Sequence, residues 1–160
     1  MSGVPAGVRL GIDWGRARIG VAACDAAGVL AYPVETIAPA SDRRVVTERL
    51  RAIVAEYEPV AAYLGLPRHL RGAEGEAAAM ARQGAALVAG LFPELDVRLI
   101  DERLTTVTAS RHLHEAGRSS RHQRSVIDQA AAVAILNQAL DAERVALARV
   151  GERIDGRNTR

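Results

Sequence analysis

Three acidic positions in this sequence stand at element ends against apolar surroundings. Asp13 closes the run Arg9-Leu-Gly-Ile-Asp13 and is flanked by Gly11 and Gly15. Asp101 and Glu102 close the run Asp96-Val-Arg-Leu-Ile-Asp-Glu102. Asp128 has Ala131, Ala132 and Ile135 at +3, +4 and +7, which share its face on a helix. A carboxylate in such surroundings is costly unless a cation pairs with it. Each position also has a plain structural reading. Asp13 can bond turn amides. Asp101 and Glu102 can cap a helix beginning near Thr105 and Thr106. Ser125 and Asp128 have the spacing of a capping box. Taken together, the acids form an all-oxygen donor set drawn from distant segments, which suits Mg²⁺ or Mn²⁺. Two such ions can activate water and stabilise the leaving oxygen in phosphodiester cleavage.

The basic residues fit a polyanionic substrate. All 21 are arginine, and formal net charge is +2. Between Arg103 and Arg124 five arginines face a single acid, Glu115. Arginine forks bond phosphate in pairs and stay charged. Arg18, Arg103, Arg118, Arg121 and Arg124 are the candidate phosphate-binding residues, the last three in a basic loop over 118–124. Aromatic residues make up only 3%, which argues for recognition of shape and backbone over base stacking. Trp14 reads as a packing residue beside its turn. His112, His114 and His122 read as surface residues without a role.

The elements that must position these side chains follow from periodicity. Residues 8–13 and 18–24 read as strands, and Val29 to Ile37 as a third. Pro33 suggests an edge or irregular position for that third strand. An amphipathic helix spans 42–58, with Val46, Leu50, Ile53, Val54 and Tyr57 on one face. A buried strand follows at 60–65, a helix from Glu76 to Phe92, and a fifth strand at 96–102. Alternation puts Asp101 and Glu102 on opposite faces of that strand, so one acid at most serves a given site. Helices are expected over 105–116 and 125–142. The pattern predicts a single α/β domain over 8–142: a five-stranded mixed sheet of three antiparallel strands and then β-α-β units, flanked by helices. Residues 1–7 read as a loose leader. Residues 143–160 read as an Arg-rich tail, helical at first and then frayed.

Length, 49% hydrophobic and 25% charged residues fit an ordinary globular domain. The sequence contains no run long and apolar enough for a membrane span and no signal-peptide pattern, so a cytoplasmic setting without membrane contact is expected. Cys24 is alone, which leaves no disulfide and no cysteine metal cluster.

Six motifs together resemble the YqgF/RuvX family. They are Gly11-Ile-Asp-Trp-Gly15, Arg18-Ile-Gly-Val-Ala22, Gly65-Leu-Pro67, Gly72-Ala-Glu-Gly75, Asp101-Glu-Arg-Leu-Thr-Thr106 and Asp128-Gln-Ala-Ala-Ala-Val-Ala-Ile-Leu136. The resemblance covers roughly residues 8–140. It implies an RNase H-like fold and a metal-dependent nuclease, with one or two Mg²⁺ or Mn²⁺ ions held by Asp13, Glu102 and Asp128 (Asp101 being the alternative to Glu102). The family is associated both with 5′ processing of pre-16S rRNA in ribosome biogenesis and with Holliday-junction resolution, and the former tips the expectation toward RNA. The sequence is compatible with a monomer or a homodimer, and a junction resolvase cutting symmetrically would need the dimer. The loop Arg68-His-Leu-Arg71 departs from the more neutral stretch of relatives. Two rival classes remain. A sugar kinase or actin-like ATPase shares the Gly-x-Asp-x-Gly strand but needs two such domains, and this chain has no lysine for a phosphate loop. A non-catalytic ribosome-assembly factor would keep the basic surface and use the acids as caps.

Overall fold

The computed structural model describes residues 6–68, 71–102 and 121–156, with side chains in the last segment from residue 129 onward. Strands β1 (Arg9–Trp14), β2 (Ile19–Cys24) and β3 (Ala31–Ile37) form the antiparallel meander. Helix α1 (Arg43–Tyr57) crosses to β4 (Ala61–Leu66), and α2 (Glu76–Leu91) crosses to β5 (Asp96–Asp101). Helix α3 (Arg121–Ala146) returns over the sheet, and β6 (Glu152–Ile154) closes it. The sheet order is β3-β2-β1-β4-β5-β6, with β1, β4 and β5 parallel. The mixed α/β architecture expected from periodicity is therefore present, with six strands in place of five.

Local sequence accounts for the element ends. Asp42 caps α1, its carboxylate accepting from the amides of Arg44 and Val45 at 3.1 and 3.3 Å. Pro59 follows that helix, whose C-cap Glu58 is left-handed at φ 46°. β3 is the sheet edge, and its register shifts so that Val21 faces Glu35 while Ala22 faces Pro33. A proline lacking an amide donor is accommodated there, as its position suggested.

Two apolar layers sandwich the sheet. Leu10, Ile12, Leu64, Val97 and Leu99 pack with α1 and α2 on one face. Ala22, Cys24, Tyr63 and Ile100 pack with Ala132, Ile135, Leu136, Ala139 and Leu140 of α3 on the other. Gly11 lets α3 lie close, since a Cβ there would come within 2.6 Å of the Ala132 carbonyl oxygen. Strand alternation then fixes directions. Leu10, Ile12 and Trp14 face α1 and α2, while Arg9, Gly11 and Asp13 face α3.

Three expectations change. Arg121 and Arg124 are already within helix α3, described from Arg121 to Ala146, and not in a basic loop, so the helix is present before residue 125. Arginine propagates helix well, so a run of basic residues is no mark of a loop. Ser125 and Asp128 consequently sit four and seven residues into the helix, too deep for a capping box. The stretch after residue 142 does not fray as a helix. α3 runs to Ala146, and Glu152–Ile154 pairs antiparallel with Val97–Leu99. The expected helix over 105–116 lies outside the described residues.

The return to β6 is pinned by Asp96. Its carboxylate accepts from Arg98 Nε and Arg149 Nη1, both at 3.0 Å. Burial alone would raise its pKa, but the two guanidiniums outweigh burial and hold it below the ordinary carboxylate range. A depressed folded pKa gives stability that is present above the unfolded value near 3.9 and lost as pH falls through the lower folded value. Asp96→Asn is expected to cost about 2 kcal/mol at pH 7. Urea melts of both proteins between pH 7 and pH 3 should show the gap closing below pH ~4. A constant gap would mean that the charge of Asp96 is not what the arginines hold.

Candidate active site

The carboxyl ends of β1 and β4 and the residue after β5 meet beneath α3. β1 pairs with β4 through Ile12 and Leu64, so the next rung brings Asp13 beside Gly65. β4 pairs with β5 through Gly65 and Ile100 and through Leu66 and Asp101. The Glu102 amide then donates to the Leu66 carbonyl at 3.2 Å, extending the ladder by one residue. Alternation from Ile100, which packs under α3, puts Glu102 on the α3 face. Asp101 takes the opposite side, and its backbone carbonyl accepts from Gln138 Nε2 at 2.9 Å.

Gly65 is the floor of the site. A Cβ there would stand 2.6 Å from the Glu102 carboxyl carbon and 2.7 Å from Ile135 Cδ1. The bare backbone thus leaves the space that the Glu102 carboxylate occupies. Asp13 is 8% exposed and Glu102 5%. Both line one cleft of about 430 Å³, together with Trp14, Arg16, Arg18 and Glu76. Among the described residues no group of three His, Cys, Asp or Glu side chains is placed as a metal site. Asp128 belongs to α3, one turn before Ala132, whose carbonyl oxygen overlies Gly11.

The sequence-based candidates divide clearly. Asp13, Glu102 and Arg18 come together in the cleft. Asp101 does not line it. Arg103 and Arg118 lie outside the described residues, and Arg121 and Arg124 are placed only as members of α3. Sequence reasoning passed over Arg16 and Glu76, which pair at 3.1 Å across the cleft rim. The charge alternation that marks a fold-level contact is missing when two residues 60 positions apart are joined only by tertiary structure.

Gly65→Ala tests this packing. Overpacking of this kind costs about 1–3 kcal/mol. The added methyl meets the Glu102 carboxylate, so nucleic-acid cleavage is expected to fall far more than the melting temperature does. Parallel thermal melts and single-turnover cleavage would separate the two. Full activity in a variant that folds would show that the Glu102 position is not critical.

Comparison with known proteins places this geometry. The profile of the RuvX family, described as a Holliday junction resolvase, matches residues 7–142. Relatives carrying the name "Putative pre-16S rRNA nuclease" include one from Streptomyces coelicolor, 53% identical over 149 residues and covering 93% of this chain and 89% of its own. Another, from Cutibacterium acnes, is 55% identical over 139 residues, covering 87% and 85%. A third, from Thermobifida fusca, is 47% identical over 157 residues, covering 94% and 97%. Among solved structures, Thermus thermophilus RuvC in complex with a Holliday junction substrate superposes with a TM-score of 0.58 at 19% identity, over 92% of this chain and 99% of that one. That likeness assigns an RNase H-like fold. With a family profile spanning nearly the whole described sheet and relatives at about half identity, the chain belongs to the RuvX family.

Proposed function

We propose that this protein is a divalent-metal-dependent nuclease that hydrolyses phosphodiester bonds in structured nucleic acid, acting on pre-16S rRNA in the cytoplasm. The observation that carries this reading is that Asp13 and Glu102, drawn from separate segments, are both buried and line one cleft. Their chemistry fits the ion. Carboxylate oxygens are the hard donors that Mg²⁺ and Mn²⁺ take, and the cleft of about 430 Å³ leaves room beside them. Asp13, Glu102 and Asp128 would hold one or two such ions, with Asp128 entering from α3. A bound ion supplies Lewis-acid stabilisation of the phosphate and an activated water.

The chain's own residues set the substrate in place. Arg18 lines the cleft and offers a guanidinium to the phosphate beside the cut. Arg103, Arg118, Arg121 and Arg124 would extend the phosphate track around the start of α3. Ile135 and the apolar face of α3 close the floor against bulk water, which strengthens electrostatic interactions in the site.

The choice of rRNA follows the names of the relatives. A second reading, cleavage of branched DNA by a homodimer, is favoured by the family description. The deciding experiment compares a pre-16S rRNA fragment with a four-way DNA junction, each with Mg²⁺, Mn²⁺ or a chelator, using the wild type and Asp13→Asn. Metal-dependent cutting of the rRNA that is lost in the variant is the expected result. Metal-independent cutting would sink the mechanism, and binding of both substrates without cutting would favour a non-catalytic assembly role.

A further inference from the structure

The strand end that carries Asp13 turns its next residue, Trp14, to the opposite face of the sheet. There a second cleft of about 280 Å³ opens between the β1–β2 turn, the start of α1 and the middle of α2. It shares Trp14, Gly15, Arg16 and Met80 with the cleft that holds Asp13 and Glu102. The two clefts are parts of one surface, and Trp14 with its turn forms the ridge between them.

The indole is held in place by α2. A Cβ at Gly84 would lie 2.3 Å from Trp14 Cδ2 and 2.7 Å from Cε2 and Cε3. The ring therefore rests on bare helix backbone, at a mid-helix position where glycine is unfavourable relative to alanine. Its remaining surface borders the cleft, whose walls combine apolar Val46 and Leu87 with polar Ser41 and Gln83. Arg43 is exposed at the rim. Arg16 is 77% exposed, and its partner Glu76 is 90% exposed, so their ion pair is weak and exchangeable for a phosphate. An aromatic surface, an apolar wall and two rim guanidiniums match a nucleobase with its flanking phosphates. The volume suits one base and part of its ribose rather than a stacked run.

Resting on the nuclease reading, we infer that this second cleft takes one unpaired nucleotide next to the phosphodiester held at Asp13 and Glu102. The base lies against Trp14, and its flanking phosphates meet Arg16 and Arg43. Substrates with an unpaired nucleotide at the cut are thereby preferred over continuous duplex, since a paired base is not free to enter.

Trp14 is the only tryptophan of the chain, so its emission reports the ridge between the two clefts, and the abasic and Arg43→Ala arms assign the signal to the second. Single-stranded RNA and DNA oligonucleotides of about 12 nucleotides, and the corresponding duplexes, would be titrated into the full-length protein in chelator. Binding is followed in parallel by anisotropy of an end-labelled strand. Cleavage of the same strands, and of versions with one abasic position beside the cut, is measured with Mn²⁺. Single strands should quench the emission at the same midpoint as the anisotropy change, and duplexes should not. The abasic position should lower kcat/KM about tenfold or more. Arg43→Ala, a change at an exposed first helical residue, should raise KM several-fold, with kcat nearly kept. RNA and DNA strands that behave alike would mark a base-tolerant cleft, and quenching by RNA alone would assign it to the ribose form. Binding and cleavage without quenching, and without an abasic penalty, would overturn the inference while leaving the nuclease reading intact. Quenching without cleavage of any strand would overturn the nuclease reading and keep the cleft as a binding site. Absence of binding to every strand overturns both.

Discussion

Asp13→Asn should abolish metal-dependent cleavage, lowering kcat by roughly 10³-fold or more, on the scale seen when a group acting in the transition state is removed. The change is nearly isosteric, so it leaves the packing beneath α3 in place. What it removes is a negative charge at the point where β1 and β4 bring Asp13 beside Gly65 and the Glu102 carboxylate. An amide oxygen is a far weaker donor for a hard cation. A second readout is independent of activity. A ligand that binds only the folded state raises its melting temperature by mass action. Mn²⁺ should therefore raise the melting temperature of the wild type and leave that of Asp13→Asn unmoved, while the two melt alike in chelator. An aspartate serving only as a turn residue would behave differently. Asparagine fills turn positions as well as aspartate does, so cleavage and the metal-induced shift would both persist.

That alternative was visible from the sequence, and so was the metal reading. The reason lies in what periodicity encodes. The apolar alternation of 9–14 and 96–101 locates two strand ends, and with them two acids, within a residue of where they fold. It also shows that Asp101 and Glu102 point to opposite faces, but not which face α3 would cover. Only the contact of Ile100 with the α3 layer puts Glu102 on the face that α3 covers. β6 was illegible for a related reason. Glu152–Ile154 is three residues long, two of them exposed, with no apolar alternation of its own. It is a strand because β5 offers an open edge and because Gly151, at φ 81°, turns the chain against Leu99. The packing role read for Trp14 holds, and the structure adds a second one. Its packing role is real, since it rests on Gly84, yet the same ring borders both clefts. A sequence shows that an aromatic residue is present, not how many of its surfaces are covered.

The deepest unforeseen feature is a buried charge cluster at the far end of α3. Arg9 and Glu143 are joined at 2.6 Å and are 1% and 0% exposed. Arg9 Nη1 also donates to the carbonyls of Gly7 and Ala26 at 2.6 and 3.3 Å. The Tyr63 hydroxyl donates to the second Glu143 oxygen at 2.5 Å, and burial followed by this bond pushes its pKa well up, keeping it a donor. Gly28 makes room, because a Cβ there would stand 2.7 Å from Arg9 Nη2. The cluster ties α3 to β1 and β4 on the same face, and by the same strands, that carry Asp13. Glu143→Ala leaves a guanidinium buried without its carboxylate, which costs about 3–5 kcal/mol. For a domain of 160 residues that corresponds to a melting temperature lower by roughly 10 °C or more, readable by circular dichroism. The double change Arg9→Met with Glu143→Leu removes both charges and should recover most of the loss, since apolar replacement of a buried pair is often neutral. If Glu143→Ala alone melts within about 1 kcal/mol of the wild type, the Arg9 charge reaches water by another route, and the anchoring of α3 must come from its apolar face alone. If the double variant is stable but cleaves slowly, the cluster instead sets the position of α3 over the cleft that holds Asp13 and Glu102.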